Sequence, residues 1–575
     1  MAFIFPVLVA TLAAASPLSS LVTKHSIAEV PQGWERQADA PADHGLQLHI
    51  RLREENIDRL QQRLLEVSNP KHADYGKHLS KADVDALTAP TPAAVDSVTK
   101  WLSANGVVVG KPQSGYLKVS LTVAQAKKLI GADYGIYKQA ATGQETVRAT
   151  SYSLPKEVFS AISMIQPTTI FADLGSSFHP YIVDADEDVP KRRATNAKSD
   201  DVCANGFTTD CLRSNYNIKG YNSTDSTTIG IAGFLGEVPN QGSLSTYIKK
   251  YQPSVPADTT IPIVSINNGP TDGPGGGEAD LDVQIAVPLT YPMKSVYYST
   301  GGSPPWLGTG NNTNEPYLEW LSYMINLDNP PETVSISYGD IETTVPNDYA
   351  DCVCSQFMKL GARGVTILAS SGDDGVATHE DCTGDTINKF APSFPASCPW
   401  VTVVGGTEHY GADEAAYVLG GSGFSNHFAA PSYQQEAVNQ YIDRLDGQFD
   451  GLYNKTGRAY PDIAASFTPY PIFNQGKAKS SGGTSASTPA VASMIALLND
   501  YLVSNGQSPL GFLNPWLYSY GKEGFRDIAK GHNNACINRK VKPRVYGQPA
   551  LPATEGWDAV TGWGVPDFAK LLELL

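Results

Sequence analysis

The stretch "SGGTSASTP", residues 481–489, decides how the fold of this 575-residue chain is interpreted. The run "AVASMIALLNDYL" follows it with helical spacing, which predicts a helix that starts at Ser485 and has Pro489 in its opening turn, where proline is tolerated. Backbone N–H groups at a helix N-terminus can stabilise a developing negative charge, so Ser485 is a candidate nucleophile. A simple helix-capping serine is the alternative.

A serine nucleophile needs a base, and the usual base is histidine. Beyond residue 193 none of the four histidines stands in a His-Gly-Thr-His setting: His379, His409, His427 and His532. The stretch "GPGGGEADLDVQIA", residues 273–286, instead predicts a helix with Glu278 and Asp282 on one face and Asp280 on another. Two close carboxylates cannot both ionise freely, so one pKa rises, and such a glutamate can accept a serine proton in acid. A solvated helix face is the alternative.

The beginning of the chain and its cysteines indicate export. "MAFIFPVLVATLAAAS", residues 1–16, is a short apolar run that ends in small residues, as in a secretory signal peptide, and it is too short for a membrane span. All seven cysteines follow residue 200, so up to three disulfides can form in an oxidising compartment, with at least one thiol left over. Sequons for N-glycosylation lie in the same part of the chain, at Asn222, Asn311 and Asn454. We expect a secreted protein.

Charge divides the chain at about residue 193. Residues 1–193 carry 20 Lys and Arg against 20 Asp and Glu, whereas residues 194–575 carry 22 against 38 and so hold the whole net charge of −16. Such an acidic module is a poor nucleic-acid binder. Its self-repulsion falls as carboxylates protonate, which suits an acidic environment, although plain solubility explains the charge equally well. The stretch from 183 to 201 predicts an exposed linker, and the basic triplet at 191–193 offers a cleavage site to a processing protease.

The two parts of the chain differ in pattern. "LQLHIRLREENIDRLQQRLLEVSNP", residues 46–70, passes from alternation to helical spacing, which predicts a compact α+β unit over residues 17–193. Over residues 194–575, helix candidates such as "NDYADCVCSQFMKLGARG" alternate with the strand runs "TTIGIAGF", "TVSISYG", "VTILASSGD" and "PWVTVVGGT". This alternation predicts an α/β fold with a doubly wound, mainly parallel sheet. A detachable leading unit on an exported chain suggests a zymogen.

Three motifs together resemble those of the sedolisins, the serine-carboxyl peptidases of family S53: "EADLD" (278–282), "ILASSGDDG" (367–375) and "SGGTSASTP". "NPKHADYGKHLS" (69–80) resembles the activation domain of that family, and the chain from "CLRSNYNI" (211–218) onward resembles its peptidase domain. The resemblance implies a subtilisin-like fold with a Ser-Glu-Asp triad.

Carried over by position, this resemblance makes Ser485 the nucleophile, Glu278 the general base and Asp282 the carboxylate that orients Glu278. Asp373 matches the aspartic acid of the oxyanion hole, a role that needs a protonated carboxyl group because only that form donates a hydrogen bond. Asp374 is the rival candidate, at a position where the family more often has a small residue.

The resemblance also implies one structural calcium ion near the C-terminus. Asp527 and Asp558 would supply carboxylates, and Ile528, Thr554 and Gly556 would supply backbone carbonyls, an oxygen-only set that suits calcium. Thr554 stands where the family tends to have glycine, and a helix cap with a turn aspartate is the alternative interpretation.

For the disulfides, the resemblance implies a bridge comparable to Cys382–Cys536. Cys203 and Cys211 form a candidate local pair, and the remaining pairing stays open.

Two classes of function remain. The first is an acid peptidase of polypeptides, monomeric, with its own propeptide as intramolecular inhibitor and chaperone and with no nucleic-acid or membrane partner. Within it, "CLRSNYNI" and "YSTGGSPPW" (298–306) resemble most the tripeptidyl-peptidases, which remove three residues from a free N-terminus, and an acid endopeptidase is the alternative. The second class is a binding protein on an inactive peptidase scaffold, which the intact set of four candidate catalytic residues argues against.

Overall fold

The structure, a computed structural model, describes residues 20–301 and 316–575 apart from a set of short segments: 28, 31–33, 113–114, 141–142, 144, 170, 172–182, 185–201, 539–540 and 542–544. The predicted signal peptide, the basic triplet at 191–193 and the sequon at Asn311 lie outside the described residues. Within these ranges, none of the helices combines the length and the apolar character that crossing a membrane requires.

The leading unit is an α+β domain, as its pattern predicts. Gly45–Leu52 is the central strand of an antiparallel sheet, between Tyr116–Thr122 and Ile162–Gln166. The other strands form two smaller antiparallel sheets: Trp34–Asp39 with Gly135–Gln139 and Glu145–Arg148, and Leu21–Ser26 with Ser151–Pro155. The helices are Ile57–Ser68, Lys81–Thr88, Pro92–Ala104, Val123–Ile130 and Lys156–Phe159.

The second unit, which follows the linker and is here called the peptidase unit (residues 202–575) after the domain that it resembles, is built on an eight-stranded sheet, here called the central sheet. Seven strands are parallel and lie in this order: Ile263–Ile266, Lys294–Thr300, Thr228–Gly233, Thr333–Ile336, Thr366–Ser370, Thr402–Glu408 and Ile463–Ser466. The short strand Ala415–Ala416 pairs antiparallel with Thr402–Glu408. Because the first strand in the chain lies inside the sheet, the later connections run in both directions from it, and the doubly wound prediction is confirmed.

Helices cover both faces of the central sheet. Gln241–Tyr251, Gly277–Thr290 and Thr484–Ser504 contribute to one apolar core, and Tyr317–Asn326 and Asn347–Ala362 contribute to the other. The remaining helices are Thr209–Asn215, Gln435–Leu445, Asn514–Ser519 and Phe568–Glu573. The remaining short strands are Val183–Asp184, Asp340–Ile341, Cys382–Thr383, Thr386–Ile387, Ser393–Phe394, Gly423–Ala429, Gly457–Tyr460, Tyr470–Asn474, Lys477–Ser481, Phe525–Arg526, His532–Ala535, Gln548–Pro552 and Val565–Pro566.

The helix Thr484–Ser504, here called the nucleophile helix, lies at the centre of the peptidase unit. Every residue from Thr484 to Asp500 is buried, as expected for a helix that is apolar on all sides. The prediction that Pro489 lies in the opening turn is wrong, because the helix already begins at Thr484. Pro489 therefore leaves the Ser485 carbonyl without its helical N–H donor, and the Ser337 hydroxyl lies 3.3 Å from that carbonyl oxygen as a donor instead.

Three disulfides cross-link the peptidase unit. The predicted pairs Cys203–Cys211 and Cys382–Cys536 are both present, and the pairing that the sequence left open is Cys354–Cys398. All seven cysteines lie in the described residues, and Cys352 is the one that stays a thiol, buried beneath the leading unit with its sulfur 2.8 Å from the Tyr116 hydroxyl.

The leading unit packs against the peptidase unit through an apolar contact flanked by charges. Leu64 on the helix Ile57–Ser68 packs with Met358 and Phe512 of the peptidase unit. Beside this contact Lys359 forms an ion pair with Glu54 of the leading unit, and both side chains are buried. A buried apolar contact with a paired charge is the kind of interface that holds two domains in a fixed position.

The linker also contacts the peptidase unit. Its short strand Val183–Asp184 pairs antiparallel with Lys479 and Ser480 in the strand Lys477–Ser481. That strand forms a hairpin with Tyr470–Asn474 and leads directly into the nucleophile helix. A piece of the linker therefore lies beside the segment that delivers Ser485.

We expect Leu64→Ala to destabilise the precursor by about 2–5 kcal/mol, because it leaves a cavity at the contact between the two units. Denaturant unfolding of the uncleaved precursor, kept inactive by Ser485→Ala, measures the change. Val108→Ala is the control, since Val108 is 89% exposed and its truncation should change the unfolding free energy by less than about 0.5 kcal/mol. Equal losses in the two variants would contradict the packing role of Leu64.

Candidate active site

The central sheet brings three polar side chains to one of its edges. Glu237, Ser337 and Asp373 each follow shortly after the end of a strand, and these three strands are neighbours in the sheet. Since the carboxyl ends of parallel strands meet at the same edge, the three side chains converge there, at the position where α/β folds place their active sites.

The helix Gly277–Thr290, here called the acid helix, carries the predicted carboxylate pair. Glu278 lies in its first turn and Asp282 one turn later, and both side chains are buried. Asp280 points to another side, where it accepts hydrogen bonds from the Asn240 N–H (2.8 Å) and the Asn474 side chain (3.0 Å). The predicted separation of Asp280 from the pair is confirmed.

Burial controls the protonation of this pair. It raises the pKa of Glu278 and of Asp282 well above their ordinary values, because a charged carboxylate loses its solvation in the interior. For Glu278 the negative charge of Asp282 is the next largest cause, followed by the charges of Glu237 and Asp373. The Ser337 hydroxyl opposes the rise for Asp282 by donating a hydrogen bond of 3.0 Å. The pair therefore strongly favours a protonated state over the loss of both protons.

Ser485 lies in the first turn of the nucleophile helix and is fully buried. Its hydroxyl interacts with the Glu278 carboxyl, and this interaction opposes the rise in the pKa of Glu278. Among the described residues, neither the hydroxyl nor the carboxyl has a hydrogen-bond partner at normal length and angle. Hydrogen bonds between nucleophile and base are often poorly formed without substrate and tighten when substrate binds.

Asp373 lies directly against the start of the nucleophile helix. Its Oδ1 accepts hydrogen bonds from the Thr484 N–H (2.7 Å) and from the Thr484 hydroxyl (2.9 Å). Gly483 makes this approach possible, since its φ of +124° suits glycine and a Cβ there would lie 2.7 Å from Asp373 Oδ2. Asp374 is half-buried. Of the two candidates, Asp373 is the one bonded to the neighbour of Ser485.

Sequence reasoning missed Ser337, Thr484 and Glu237. Ser337 links the acid helix to the nucleophile helix, because its hydroxyl lies within hydrogen-bonding distance of Asp282 and of the Ser485 carbonyl. A signal existed for it, since it is a polar residue at the end of the buried strand run "TVSISYG". For Thr484 and Glu237 the sequence offers only proximity to a motif or to a strand end, which does not reveal the side chains they bond.

The four histidines of the peptidase unit have partners or positions elsewhere. His427 lies 2.6 Å from the Asp351 carboxylate, the ring of His532 contacts the Asn533 carbonyl, and His409 follows directly after the central-sheet strand that ends at Glu408. His379 begins a short 3-10 turn next to Cys382. None of these contacts involves Ser485, whereas the Glu278 carboxyl does interact with the Ser485 hydroxyl.

The predicted calcium ligands come together near the C-terminus. Asp527 accepts a hydrogen bond from the Gly556 N–H (2.7 Å), and Asp558 accepts one from the Thr554 N–H (2.9 Å). The Ile528 carbonyl lies 3.3 Å from the hydroxyl of Thr561, which also contacts Asp558. The five predicted residues thus belong to one loop cluster.

The chemistry of this cluster fits a hard cation. Burial raises the pKa of Asp558 to about 7, and the charge of Asp527 adds to the rise. A divalent ion would relieve this repulsion, and oxygen donors are those that calcium prefers. In the described part of the chain no cluster joins three or more His, Cys, Asp or Glu side chains as a metal site would, so the ion would also depend on backbone carbonyls.

Comparison with known proteins agrees with this geometry. The Pro-kumamolisin activation domain matches residues 32–171, and the subtilase family matches residues 295–507. Tripeptidyl-peptidase sed4 of Aspergillus fumigatus is 37% identical over 585 residues, which covers 96% of each chain. Tripeptidyl-peptidase SED2 of Arthroderma otae is 34% identical over 598 residues, which covers 99% of each chain.

Among solved structures, Pseudomonas sedolisin complexed with two molecules of pseudo-iodotyrostatin is 23% identical, with a TM-score of 0.49, and the match covers 63% of this chain and 96% of that one. The match to the curated relatives, in contrast, extends over almost the whole length of both partners and includes the leading unit. The chain therefore belongs to the sedolisin family of serine-carboxyl peptidases and is a serine-type peptidase preceded by an activation domain.

Proposed function

We propose that the protein is a secreted acid peptidase that releases tripeptides from free N-termini of polypeptides through an acyl-enzyme on Ser485. The observation that carries this proposal is the buried carboxylate pair Glu278 and Asp282 beside Ser485 at a helix N-terminus. The proposed tripeptidyl specificity rests on the similarity to two tripeptidyl-peptidases, which covers 96% and 99% of this chain.

In the proposed reaction Ser485 Oγ attacks the carbonyl carbon of the scissile peptide bond while Glu278 takes its proton. The tetrahedral intermediate carries its negative charge on the former carbonyl oxygen, and protonated Asp373 donates a hydrogen bond to it. Collapse of the intermediate expels the amine, which receives the proton from Glu278. Water then attacks the acyl-enzyme while Glu278 takes its proton, and Glu278 returns that proton to Ser485 Oγ as the ester bond breaks, which releases the tripeptide as a free acid and restores Ser485.

The proposed dependence of activity on pH follows from the protonation of two carboxyl groups, Glu278 and Asp373. Glu278 must be ionised to accept a proton, so its raised pKa sets a lower limit to the pH of activity. Asp373 must keep its proton to serve as a donor, which sets an upper limit.

The zymogen proposal rests on the position of the leading unit. It packs against the peptidase unit at Leu64, and the linker strand Val183–Asp184 lies beside the hairpin that leads to Ser485. We infer that the leading unit inhibits the enzyme until the linker is cut. A signal peptide at 1–16, the disulfides and the exposed sequon at Asn222 support secretion.

We also propose that one calcium ion stabilises the loop cluster, with Asp527 and Asp558 as carboxylate ligands and with the carbonyls of Ile528, Thr554 and Gly556. The ion would supply positive charge that holds the two carboxylates together, and it would take no part in the reaction.

Ser485→Ala should abolish peptide hydrolysis, because no acyl-enzyme can form. If maturation is autocatalytic, this variant should also stay uncleaved at the linker. Hydrolysis at acid pH of two peptides that differ only in a free or blocked N-terminus gives the measurement. Wild-type turnover in the variant would remove Ser485 from the mechanism, and cleavage of the blocked peptide by the wild-type enzyme would make it an endopeptidase.

The two variants Asp373→Ala and Asp373→Asn should differ. Loss of one oxyanion donor costs about 10²–10³-fold in rate, so the alanine variant should be weak at every pH. Asparagine donates a hydrogen bond at every pH, so its variant should keep more activity, with an alkaline limb that is shifted upward or flattened. The pH profile of kcat/KM for three folded proteins tests this. If both variants lose the same kcat/KM and keep the alkaline limb of the wild-type enzyme, Asp373 is not the donor and Asp374 takes its place as the candidate.

Removal of calcium should lower the melting temperature, because an ion that binds only the folded state at about 100 times its Kd adds about 2.7 kcal/mol to the free energy of unfolding. Thermal melting with a chelator and with millimolar calcium provides the comparison. Asp527→Asn is the matched control and should melt alike in both buffers. The calcium proposal fails if the wild-type protein also melts alike in both.

A further inference from the structure

The acid helix begins without a cap of its own. Its N-cap residue is Gly276, which has no side chain to accept a hydrogen bond from the first turn. Glu237, which follows the strand Thr228–Gly233, fills this role from outside the helix. Its Oε2 accepts hydrogen bonds from the N–H of Glu278 (2.8 Å) and from the N–H of Ala279 (3.1 Å). Glu237 therefore binds the backbone N–H of Glu278, the candidate base.

The glycines before the acid helix provide the space for this contact. A Cβ on Gly276 would lie 2.4 Å from Glu237 Oε2, and a Cβ on Gly275 would lie 2.4 Å from Asp280 Oδ2. Either contact is far too short for any side chain, so the two carboxylates explain the glycines at 275 and 276. The close fit shows that the position of Glu237 is specified by its surroundings.

The backbone around Glu237 is fixed as well. The Tyr297 hydroxyl donates a hydrogen bond of 3.2 Å to the Glu237 carbonyl, and the Gly276 N–H donates one of 3.0 Å to the Val238 carbonyl. The segment after the strand and the start of the acid helix are thus tied to each other through main chain and side chain.

The charge of Glu237 acts on the same carboxylate pair. It raises the pKa of Glu278 and of Asp282, in each case after the effect of burial. The other titratable groups that face the pair are Asp373, whose charge also raises the pKa of Glu278, and the hydroxyls of Tyr297 and Tyr338. The Ser337 hydroxyl opposes the rise for Asp282 through its hydrogen bond, and the interaction with the Ser485 hydroxyl opposes the rise for Glu278.

We propose that Glu237 is a positioning residue for the reaction, which caps the acid helix in place of a missing side chain and sets, through its charge, how readily Glu278 and Asp282 take up a proton. This assignment rests on the proposed function, in which Glu278 is the base. A capping residue of this kind acts through Glu278 and needs no contact with the substrate.

Glu237→Gln separates charge from structure, because the amide keeps an acceptor oxygen for the two N–H groups and loses the negative charge. Loss of a nearby negative charge favours the ionised form of the pair and lowers its pKa. We expect the acidic limb of the kcat/KM profile to move down by about one pH unit, with the alkaline limb unchanged. The melting temperature at the pH optimum shows that the variant is folded.

Asp280→Asn is the matched control on the same helix. Burial raises the pKa of Asp280 to about 7, so at acid pH this substitution replaces one neutral group by another and should leave the acidic limb in place. Gly276→Ala is an independent variant, since its methyl group must displace the Glu237 carboxylate while the residue itself stays. It should shift the acidic limb in the same direction as Glu237→Gln.

The outcomes are distinct. A folded Glu237→Gln enzyme with the wild-type acidic limb overturns the assignment, and so does an equal shift in Asp280→Asn, which would indicate a general disturbance of the helix. If Glu237→Gln does not fold, Gly276→Ala decides in the same way. Ser485→Ala, measured in parallel, separates the two claims. Wild-type turnover in this variant refutes the proposed function itself. If the variant is inactive, the proposed function holds, and the Glu237→Gln result tests the role of Glu237 alone.

Discussion

Removing a carboxylate from water costs free energy, and this protein buries three carboxyl groups beside one serine. Burial raises the pKa of Glu278 and of Asp282, and for Glu278 the negative charges of Asp282, Glu237 and Asp373 add to the rise, so this pair favours its protonated form. The surrounding architecture serves to hold these groups against their mutual repulsion. Five elements surround the three carboxyl groups: the ends of three neighbouring strands, the acid helix and the nucleophile helix.

Hydroxyl groups and backbone N–H groups make this burial tolerable. Ser337 donates to Asp282, and Thr484 donates twice to Asp373, once from its backbone and once from its side chain. These donors come from different elements, so the carboxyl groups also tie those elements together. The same hydrogen bonds therefore support both the fold and the proposed reaction. Substitution of one donor affects the packing of two helices and also the protonation of the carboxyl groups.

Hydrophobic periodicity and the sequence motifs were sufficient to predict the main helices and strands and most residues of the candidate site. The strand runs and the acid helix lie where alternation and helical spacing predict them, because buried parallel strands and a helix with paired acids leave a clear local pattern. Ser337 and Glu237 were missed because the residues that they bond are distant in sequence. Pro489 was misplaced because tertiary packing, which buries every residue from Thr484 to Asp500, overrides the preference of proline for a first turn.

The proposed departure of the linker would change the topology of the hairpin sheet, because Val183–Asp184 pairs with Lys477–Ser481. With the linker in place, Lys477–Ser481 is an interior strand with neighbours on both sides, and without it this strand would be an edge strand with unpaired backbone groups. Exposed edges invite pairing with other chains, and lysines on the edge are a common protection against it. Lys477 and Lys479, in an otherwise acidic unit, lie on the strand that the proposed departure of the linker would uncover, where lysines would protect the new edge from pairing with other chains.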